Sequence, residues 1–108
     1  MDEGLIELMP VAELPQSKAI RADSPWGPLL VYRDGESVFA ISNACTHMGA
    51  PLHRGTINRQ TSTPLATCPA HGSMFDLATG KVRRGPALNP VTAYEARIEG
   101  EQVVARPA

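Results

Sequence analysis

The stretches Cys45-Thr46-His47-Met48-Gly49 and Cys68-Pro69-Ala70-His71-Gly72 decide how this sequence is interpreted. Each places one thiol close to one imidazole, and residues 48–67 separate the two pairs. Two loops that each supply one cysteine and one histidine meet the requirement of a binuclear iron–sulfur cluster with two thiolates on one iron and two imidazoles on the other. The glycine that closes each stretch lets the backbone turn and bring amide N–H groups towards cluster sulfurs. These residues therefore favour a [2Fe–2S] site built from two loops.

The same four side chains are open to other interpretations. A zinc ion is the most serious of them, because two cysteines and two histidines are also a zinc ligand set, although zinc sites more often use Cys-x-x-Cys pairs. Burial of each cysteine as a small hydrophobe does not explain why both are followed by a histidine at ligand spacing. A Cys45–Cys68 disulfide is disfavoured in a reducing compartment. A zinc-stabilised binding module stays open as an alternative function.

The sequence around these residues resembles the double signature of Rieske [2Fe–2S] proteins. The resemblance is carried by residues 45–52 (CTHMGAPL) and 68–76 (CPAHGSMFD), the turn Thr79-Gly80-Lys81, the Gly85-Pro86 loop and the closing hairpin Tyr94–Ala105. The paired motif is highly specific, whereas either half alone would be weak. The family pattern implies that Cys45 and Cys68 hold the inner iron, and that His47 and His71 hold the outer, more exposed iron.

Strand-like runs separated by turns predict an antiparallel all-β protein. These runs are Leu5–Met9, Lys18–Ala22, Leu29–Arg33, Val38–Ser42, Leu65–Thr67, Val91–Ile98 and Gln102–Ala105. Asp34-Gly35 and Glu99-Gly100 are hairpin-turn dipeptides, and Val11–Leu14 can form one helical turn at most. Between residues 43 and 86 the alternation of strand-like runs and turns stops, and long ordered loops are expected. With the resemblance, this predicts one domain over residues 1–108. Its Rieske iron–sulfur fold would have antiparallel sandwich or barrel-like sheets and a two-loop cluster-binding subdomain at about residues 43–86.

Composition excludes several classes of protein. The 108 residues hold 10 Lys+Arg against 11 Asp+Glu, a net charge of -1, so neither nucleic acid nor an anionic membrane is an expected partner. Two cysteines cannot form a disulfide framework, and no apolar run approaches the roughly 20 residues of a membrane span. The acidic start lacks a signal-peptide n-region, which predicts a cytoplasmic location. Charge is nevertheless uneven, because residues 43–86 carry five basic residues and one acid, which suits acidic redox partners.

The resemblance implies an electron carrier and not an enzyme. The expected function is a small soluble ferredoxin that passes single electrons from a flavin-dependent ferredoxin reductase to a terminal oxygenase, such as a ring-hydroxylating dioxygenase, and acts as a monomer. An oxygenase would need a second iron held by two histidines and a carboxylate. The chain has 3 histidines, and the cluster leaves only His53. A Rieske-like small subunit of a larger, nitrite-reductase-like enzyme is the alternative.

Residues near the predicted ligands indicate the reduction potential. Neutral imidazoles in place of two thiolates raise it to about -150 to +300 mV. Respiratory Rieske subunits tie their loops together with a disulfide at the positions of Ala50 and Ala70, where this chain has no thiol. Those subunits also place two hydroxyl donors beside sulfur. Ser73 matches the first of them, whereas Phe75 stands at the second. With one donor of two, we expect a potential in the lower part of the range.

Four further residues and one segment complete the expectations. Met48 and Leu52 are expected to form an apolar lid over the cluster, and His53 to lie in a surface loop. Asp76 is expected to accept backbone N–H bonds in the second loop, or to cap a turn. Asn58–Thr63 looks like an insertion between the two motifs, and the sequence assigns it no role.

Overall fold

The computed structural model describes residues 4–59 and 62–107, which form ten antiparallel strands in two sheets. The strands are β1 (Ile6–Pro10), β2 (Ile20–Ala22), β3 (Leu29–Asp34), β4 (Ser37–Ser42), β5 (Thr56–Asn58), β6 (Leu65–Thr67), β7 (Met74–Asp76), β8 (Val82–Arg84), β9 (Ala93–Glu99) and β10 (Gln102–Pro107). Two 3₁₀ turns, Val11–Glu13 and Leu52–Arg54, are the only helical elements in the part described, and neither could cross a membrane. The predicted all-β antiparallel fold class is confirmed.

The larger sheet has the order β1-β10-β9-β4-β3-β2. Its hairpins turn at the two predicted dipeptides, and the turn glycines Gly35 and Gly100 have φ of 65° and 60°. Such positive φ values are a conformation that glycine adopts without steric cost. β4 pairs with β9 through Ala40 and Ile41. Because β4 and β9 are neighbours in this sheet, the chain between them, residues 43–92, leaves the sheet at the end of β4 and rejoins it at the adjacent strand.

The smaller sheet lies wholly within that excursion and has the order β5-β6-β7-β8. Only β6 of its four strands is predicted by sequence. β5, β7 and β8, like β6, are only three residues long, and without a clear period of two the sequence indicates loops where the structure has a small meander. Gly55 and Gly80 sit at its margins against backbone. A Cβ at Gly55 would lie 1.8 Å from the Thr67 carbonyl oxygen, and one at Gly80 would lie 2.0 Å from that of Val91.

Strand β3 separates two apolar cores. Leu29 to Tyr32 are all fully buried, because the strand is covered on both faces. Leu29 and Val31 belong to a core with β2, β4 and β10, whereas Leu30 and Tyr32 belong to the core between the sheets. The second of these, which we call the inter-sheet core, also contains both cysteines, Leu52 and Phe75. The thiols are therefore part of the packed interior.

Arg59 ties the smaller sheet to the larger one. Its guanidinium donates to the Ser17 hydroxyl at 3.1 Å and pairs with the Asp34 carboxylate at 2.8 Å. Asp34 is the last residue of β3 before the β3–β4 turn. The ion pair therefore joins the chain after β5 to the turn of the β3–β4 hairpin. Arg59 belongs to the insertion 58–63, of which residues 60 and 61 lie outside the described residues. The insertion thus contributes an anchor, worth less than about 1 kcal/mol since both partners are half exposed.

Tyr32 gives a prediction about stability. Its hydroxyl is buried in the inter-sheet core and has no hydrogen-bond partner among the described residues. An unsatisfied buried polar atom costs roughly 1–3 kcal/mol, so Tyr32→Phe is expected to stabilise the protein by about 1 kcal/mol. Circular dichroism on heating should show a rise in Tm of roughly 4 °C. Tyr94→Phe, at a half-buried position, is the matched control with little change. A clear fall in the Tm of Tyr32→Phe would contradict the prediction.

Candidate metal centre

The first candidate loop leaves the end of β4 and folds into a tight turn. The Cys45 N–H donates to the Ala50 carbonyl at 2.9 Å, and the Gly49 N–H donates back to the Cys45 carbonyl at 2.6 Å. Gly49 has a φ of 75°, which lets the backbone reverse there. Cys45 is consequently held at the base of the loop with 2% exposure, whereas His47 projects from its exposed end.

The second loop repeats this geometry between β6 and β7. The Cys68 N–H donates to the Ser73 carbonyl at 2.7 Å, and the Gly72 N–H donates to the Cys68 carbonyl at 3.1 Å. Gly72 has a φ of 79°. In both loops the glycine comes four residues after the cysteine, even though the histidine comes two residues after it in the first loop and three in the second. The repeated element is therefore the cysteine-to-glycine turn, and it presents both histidines on the exposed side.

The four predicted side chains come together as two pairs. Cys45 and Cys68 lie at 2% exposure with their sulfurs in hydrogen-bond contact. The rings of His47 and His71 are exposed and meet edge to face, with centroids 5.0 Å apart. No three His, Cys, Asp or Glu side chains within residues 4–59 and 62–107 gather round one ion position. A thiol pair inside and an imidazole pair outside is the donor arrangement of a binuclear cluster with two sulfur and two nitrogen ligands.

Backbone amides favour the thiolate of Cys68. Burial by itself would raise the pKa of this thiol. Hydrogen bonds from the backbone N–H groups of His71 and Ala70, followed by one from Cys45, outweigh burial and lower the pKa below its ordinary value. A lowered pKa suits a metal ligand, because the thiolate is the form that coordinates. The backbone of the second loop therefore favours the thiolate form of Cys68, which is the form that binds a metal, and the residues fit a [2Fe–2S] group.

A third loop, residues 85–92, closes over the first two. The buried Ser73 hydroxyl accepts a hydrogen bond from the Ala87 N–H at 3.0 Å, and the Thr46 hydroxyl donates to the Asn89 carbonyl at 2.6 Å. These contacts hold Leu88 at 91% exposure beside the first loop. The sequence indicated the Gly85-Pro86 loop but not the Thr46–Asn89 hydrogen bond or the exposure of Leu88, because no local pattern marks a contact between residues 43 positions apart.

The expected apolar lid does not form. Leu52 is fully buried in the inter-sheet core, below the loops and not above them. Met48 is 66% exposed and lies on the surface next to His47. The apolar character of the two residues is common to core packing and to a lid, so the sequence could not distinguish them.

Asp76 behaves as expected, and His53 does not. The Asp76 carboxylate accepts the backbone N–H groups of Ala78 at 2.8 Å and Thr79 at 3.2 Å, which fixes the turn after the second loop. His53 is half buried, with its Nδ1 2.8 Å from the Asn43 side-chain nitrogen. Burial is the largest cause that lowers its pKa, and the charges of Arg54 and Arg21 lower it further. His53 is therefore neutral at physiological pH.

Ser73 carries a prediction about the reduction potential. Its oxygen accepts from Ala87, so its own hydrogen is free to donate elsewhere in the buried second loop. Ser73→Ala removes that donor and leaves a backbone N–H unpartnered, which should lower the potential and destabilise the protein by about 1–3 kcal/mol. A redox titration and thermal unfolding measure the two effects. Ser42→Ala, on β4, is a control for stability. An unchanged potential would show that the hydroxyl does not act on the cluster.

Comparison with known proteins identifies the family. Residues 4–95 match the model of the Rieske [2Fe–2S] domain, so this chain belongs to that family and the cofactor of its two-loop site is a [2Fe–2S] cluster. It is 32% identical over 95 residues to the ferredoxin subunit of 3-phenylpropionate/cinnamic acid dioxygenase from Shigella boydii, covering 87% of this chain and 85% of that one. By contrast, the chain spans only 15% of the length of mouse and human apoptosis-inducing factor 3, to which it is 30% identical over 96 residues.

Solved structures agree with this assignment. The ferredoxin of carbazole 1,9a-dioxygenase from Nocardioides aromaticivorans superposes with a TM-score of 0.88 at 29% identity, covering 98% of this chain and all of that one. The ferredoxin in a complex of reduced oxygenase and oxidized ferredoxin of carbazole 1,9a-dioxygenase superposes with a TM-score of 0.82 at 25% identity, covering 96% of this chain and 94% of that chain. The expected Rieske iron–sulfur fold is confirmed.

Proposed function

We propose that this chain is a one-electron carrier and not an enzyme, which takes electrons from a flavin-dependent ferredoxin reductase and passes them to a terminal oxygenase such as a ring-hydroxylating dioxygenase. The observation that carries the proposal is the exposed pair His47 and His71 above a buried pair of thiols. The relatives named as ferredoxin subunits of dioxygenases, together with the oxygenase–ferredoxin complex, support it.

The proposed ligands are Cys45 and Cys68 for the inner iron, and His47 and His71 for the outer iron. When bound, the cluster supplies a site that accepts and releases one electron. The two buried cysteines keep water from the sulfur side, and amides of the second loop stabilise the thiolate. The exposed imidazole rings give a short route for an electron between the centre and a partner's surface. We assign one domain to residues 1–108, with the cluster-binding subdomain at about residues 43–86.

The surface around the histidines suits a protein partner. Met48 and Leu88 are the large hydrophobic side chains most exposed among the described residues, and the Thr46–Asn89 hydrogen bond joins the two loops that carry them. Exposed Arg83 and Arg84 lie on β8 of the same subdomain. Exposed apolar side chains on the loops and basic charge on the same subdomain fit a docking surface that carries acidic residues, with charge acting mainly on the rate of encounter. We infer that the oxygenase docks on this side.

The proposal also covers the cellular compartment and the oligomeric state of the carrier. Use of both cysteines as ligands leaves none for a disulfide, which suits the reducing cytoplasm. We propose a monomer that meets its two partners in turn. A Rieske-like small subunit of a larger reductase would differ in one respect, because it would co-purify stoichiometrically with a large subunit. Because the chain belongs to the Rieske [2Fe–2S] family, the alternative of a zinc-stabilised binding module is set aside.

The test is electron transfer with purified components. The holoprotein is reduced by a flavin-dependent ferredoxin reductase and mixed with a Rieske-type dioxygenase, while stopped-flow absorbance follows its reoxidation. We expect complete single-electron exchange, with a rate that falls as salt is raised. Leu88→Ser and Arg83→Gln/Arg84→Gln should slow the exchange with unchanged absorption spectra. Arg97→Gln, on β9 of the larger sheet, is the matched control for charge. A holoprotein that never reoxidises with any such oxygenase would overturn the assignment of partner.

A further inference from the structure

A cleft beside the first loop carries chemistry that the electron-transfer site does not use. It has a volume of about 370 Å³ and lies between β2, the chain after β4 and the 3₁₀ turn at Leu52–Arg54. The residues that define its character are Arg21, Asn43, His53 and Arg54. None of the residues that line it is an aspartate or a glutamate. The cleft therefore presents two positive charges, from β2 and from the 3₁₀ turn, with no acidic residue in its wall.

The protonation of His53 follows from its contacts. The Asn43 side-chain oxygen accepts the His53 backbone N–H at 2.8 Å. The amide nitrogen of the same side chain must then be the atom that donates to His53 Nδ1, also at 2.8 Å. Because Nδ1 accepts and the ring is neutral, the ring hydrogen is on Nε2. His53 is thus a fixed neutral donor whose orientation is set by the buried Asn43.

Arg21 and Arg54 line the same cleft as His53. The charges of both guanidinium groups also lower the pKa of His53, after the larger effect of burial. Arg54 has no ion-pair partner within residues 4–59 and 62–107. Arg21 pairs with Asp23 at 2.9 Å, but the Asp23 side chain is 80% exposed and can turn into water. Two guanidinium groups and one N–H donor line the same cleft, and the exposed Asp23 carboxylate is the counter-ion of Arg21. Such donors match the oxygen atoms of an oxyanion.

We propose that this cleft is a binding site for one oxyanion group, a phosphate or a carboxylate, held by Arg54 and Arg21 with His53 as the neutral donor. The group can come from a small anion in solution or from an acidic side chain of a partner protein. Ala44, which precedes Cys45, and Gly49, which closes the turn of the first loop, also line the cleft, so a bound anion lies beside the first loop. Negative charge placed there should make the cluster harder to reduce.

The experiment uses the full-length protein with its cluster. Isothermal titration calorimetry with inorganic phosphate, at constant ionic strength set with chloride, measures binding to the free protein. We expect saturable binding with one site. Arg54→Gln should weaken it at least tenfold, because a charge-assisted hydrogen bond contributes about 1.5–3 kcal/mol. Arg106→Gln, which removes an arginine from β10 of the larger sheet outside the cleft, should leave it unchanged. Phosphate should also lower the midpoint potential of the wild type and Arg106→Gln, but not that of Arg54→Gln.

A second arm separates the two sources of the anion. If an acidic side chain of a partner is the occupant, Arg54→Gln weakens the complex with that partner more than Arg106→Gln does, and phosphate competes with the partner. Equal effects of phosphate and chloride, or loss of phosphate binding by both variants alike, would show screening of surface charge and overturn the proposal. Absence of both phosphate binding and a partner effect specific to Arg54 would overturn it as well. None of these outcomes depends on electron transfer to an oxygenase.

Discussion

His71→Ala protein is expected to be isolated colourless, without iron or acid-labile sulfide. The outer iron would keep only His47 as a protein ligand, and the ring of His71 is one of the two exposed imidazoles that meet at 5.0 Å. Losing one of two protein ligands on an iron removes half of its attachment to the chain, and water cannot replace the position set by the second loop. Cys68→Ala should give the same result from the buried side. Visible absorption with iron and sulfide analysis measures both variants.

His53→Ala is the matched control, since His53 is the third histidine and is not a proposed ligand. Its protein should keep the full cluster content and the wild-type absorption spectrum. Circular dichroism distinguishes loss of the cluster from loss of the fold, because the larger sheet contains none of the four ligands. Stoichiometric iron and sulfide in His71→Ala would remove this residue from the ligand set. Equal loss of iron from His53→Ala would show that removal of any histidine disturbs the loops.

Gly80→Ala is expected to destabilise the protein by about 3–5 kcal/mol, a large part of the 5–15 kcal/mol typical of a domain. Gly80 has a φ of 77°, and its carbonyl accepts the Val91 N–H at 2.9 Å. A methyl group would strain the left-handed backbone by about 1–2 kcal/mol. It would also meet the Val91 carbonyl oxygen at 2.0 Å, so the β7–β8 hairpin would have to separate from the chain entering β9. Thermal unfolding followed by circular dichroism measures the loss.

Two other glycines separate the causes. Gly100→Ala adds a methyl group at a φ of 60° with no atom within 4 Å, so it tests backbone strain alone and should cost about 1–2 kcal/mol. Gly55→Ala has no positive φ but places the methyl 1.8 Å from the Thr67 carbonyl oxygen, so it tests the steric clash alone. Gly80→Ala should be the most harmful of the three. A Gly80→Ala protein as stable as Gly100→Ala would show that the hairpin can move away at little cost.

The sequence predicted the parts of this protein that depend on local patterns. The proposed ligand pairs stand out because thiol and imidazole recur at short spacing beside a glycine, and the long strands were found because turn dipeptides bound them. Strands β5, β7 and β8 are not found, since strands this short show no clear period of two; β6 is equally short and was found only as an isolated strand-like run. Similarly, Leu52 and Met48 share apolar character but not location, which only packing decides.

The missed functional features are tertiary. Thr46 reaches Asn89, and Arg59 reaches Ser17 and Asp34, across distances in sequence that carry no local signal. The charge of Arg21, on strand β2, contributes to the lowered pKa of His53, which lies in a 3₁₀ turn. The sequence neighbours of His53 alone therefore could not predict this pKa. The insertion after β5 looked featureless for the same reason.

The excursion between β4 and β9 has a consequence for how the protein is assembled in a cell. The core formed by Leu29, Val31, Ala40 and Val103 lies in the larger sheet and includes no residue of the metal-binding loops. We therefore expect the core of the larger sheet to form in a newly made chain before iron and sulfide are delivered. The inter-sheet core contains both thiols, so we expect oxidative loss of the inorganic centre to disturb that core and to leave the core of the larger sheet in place.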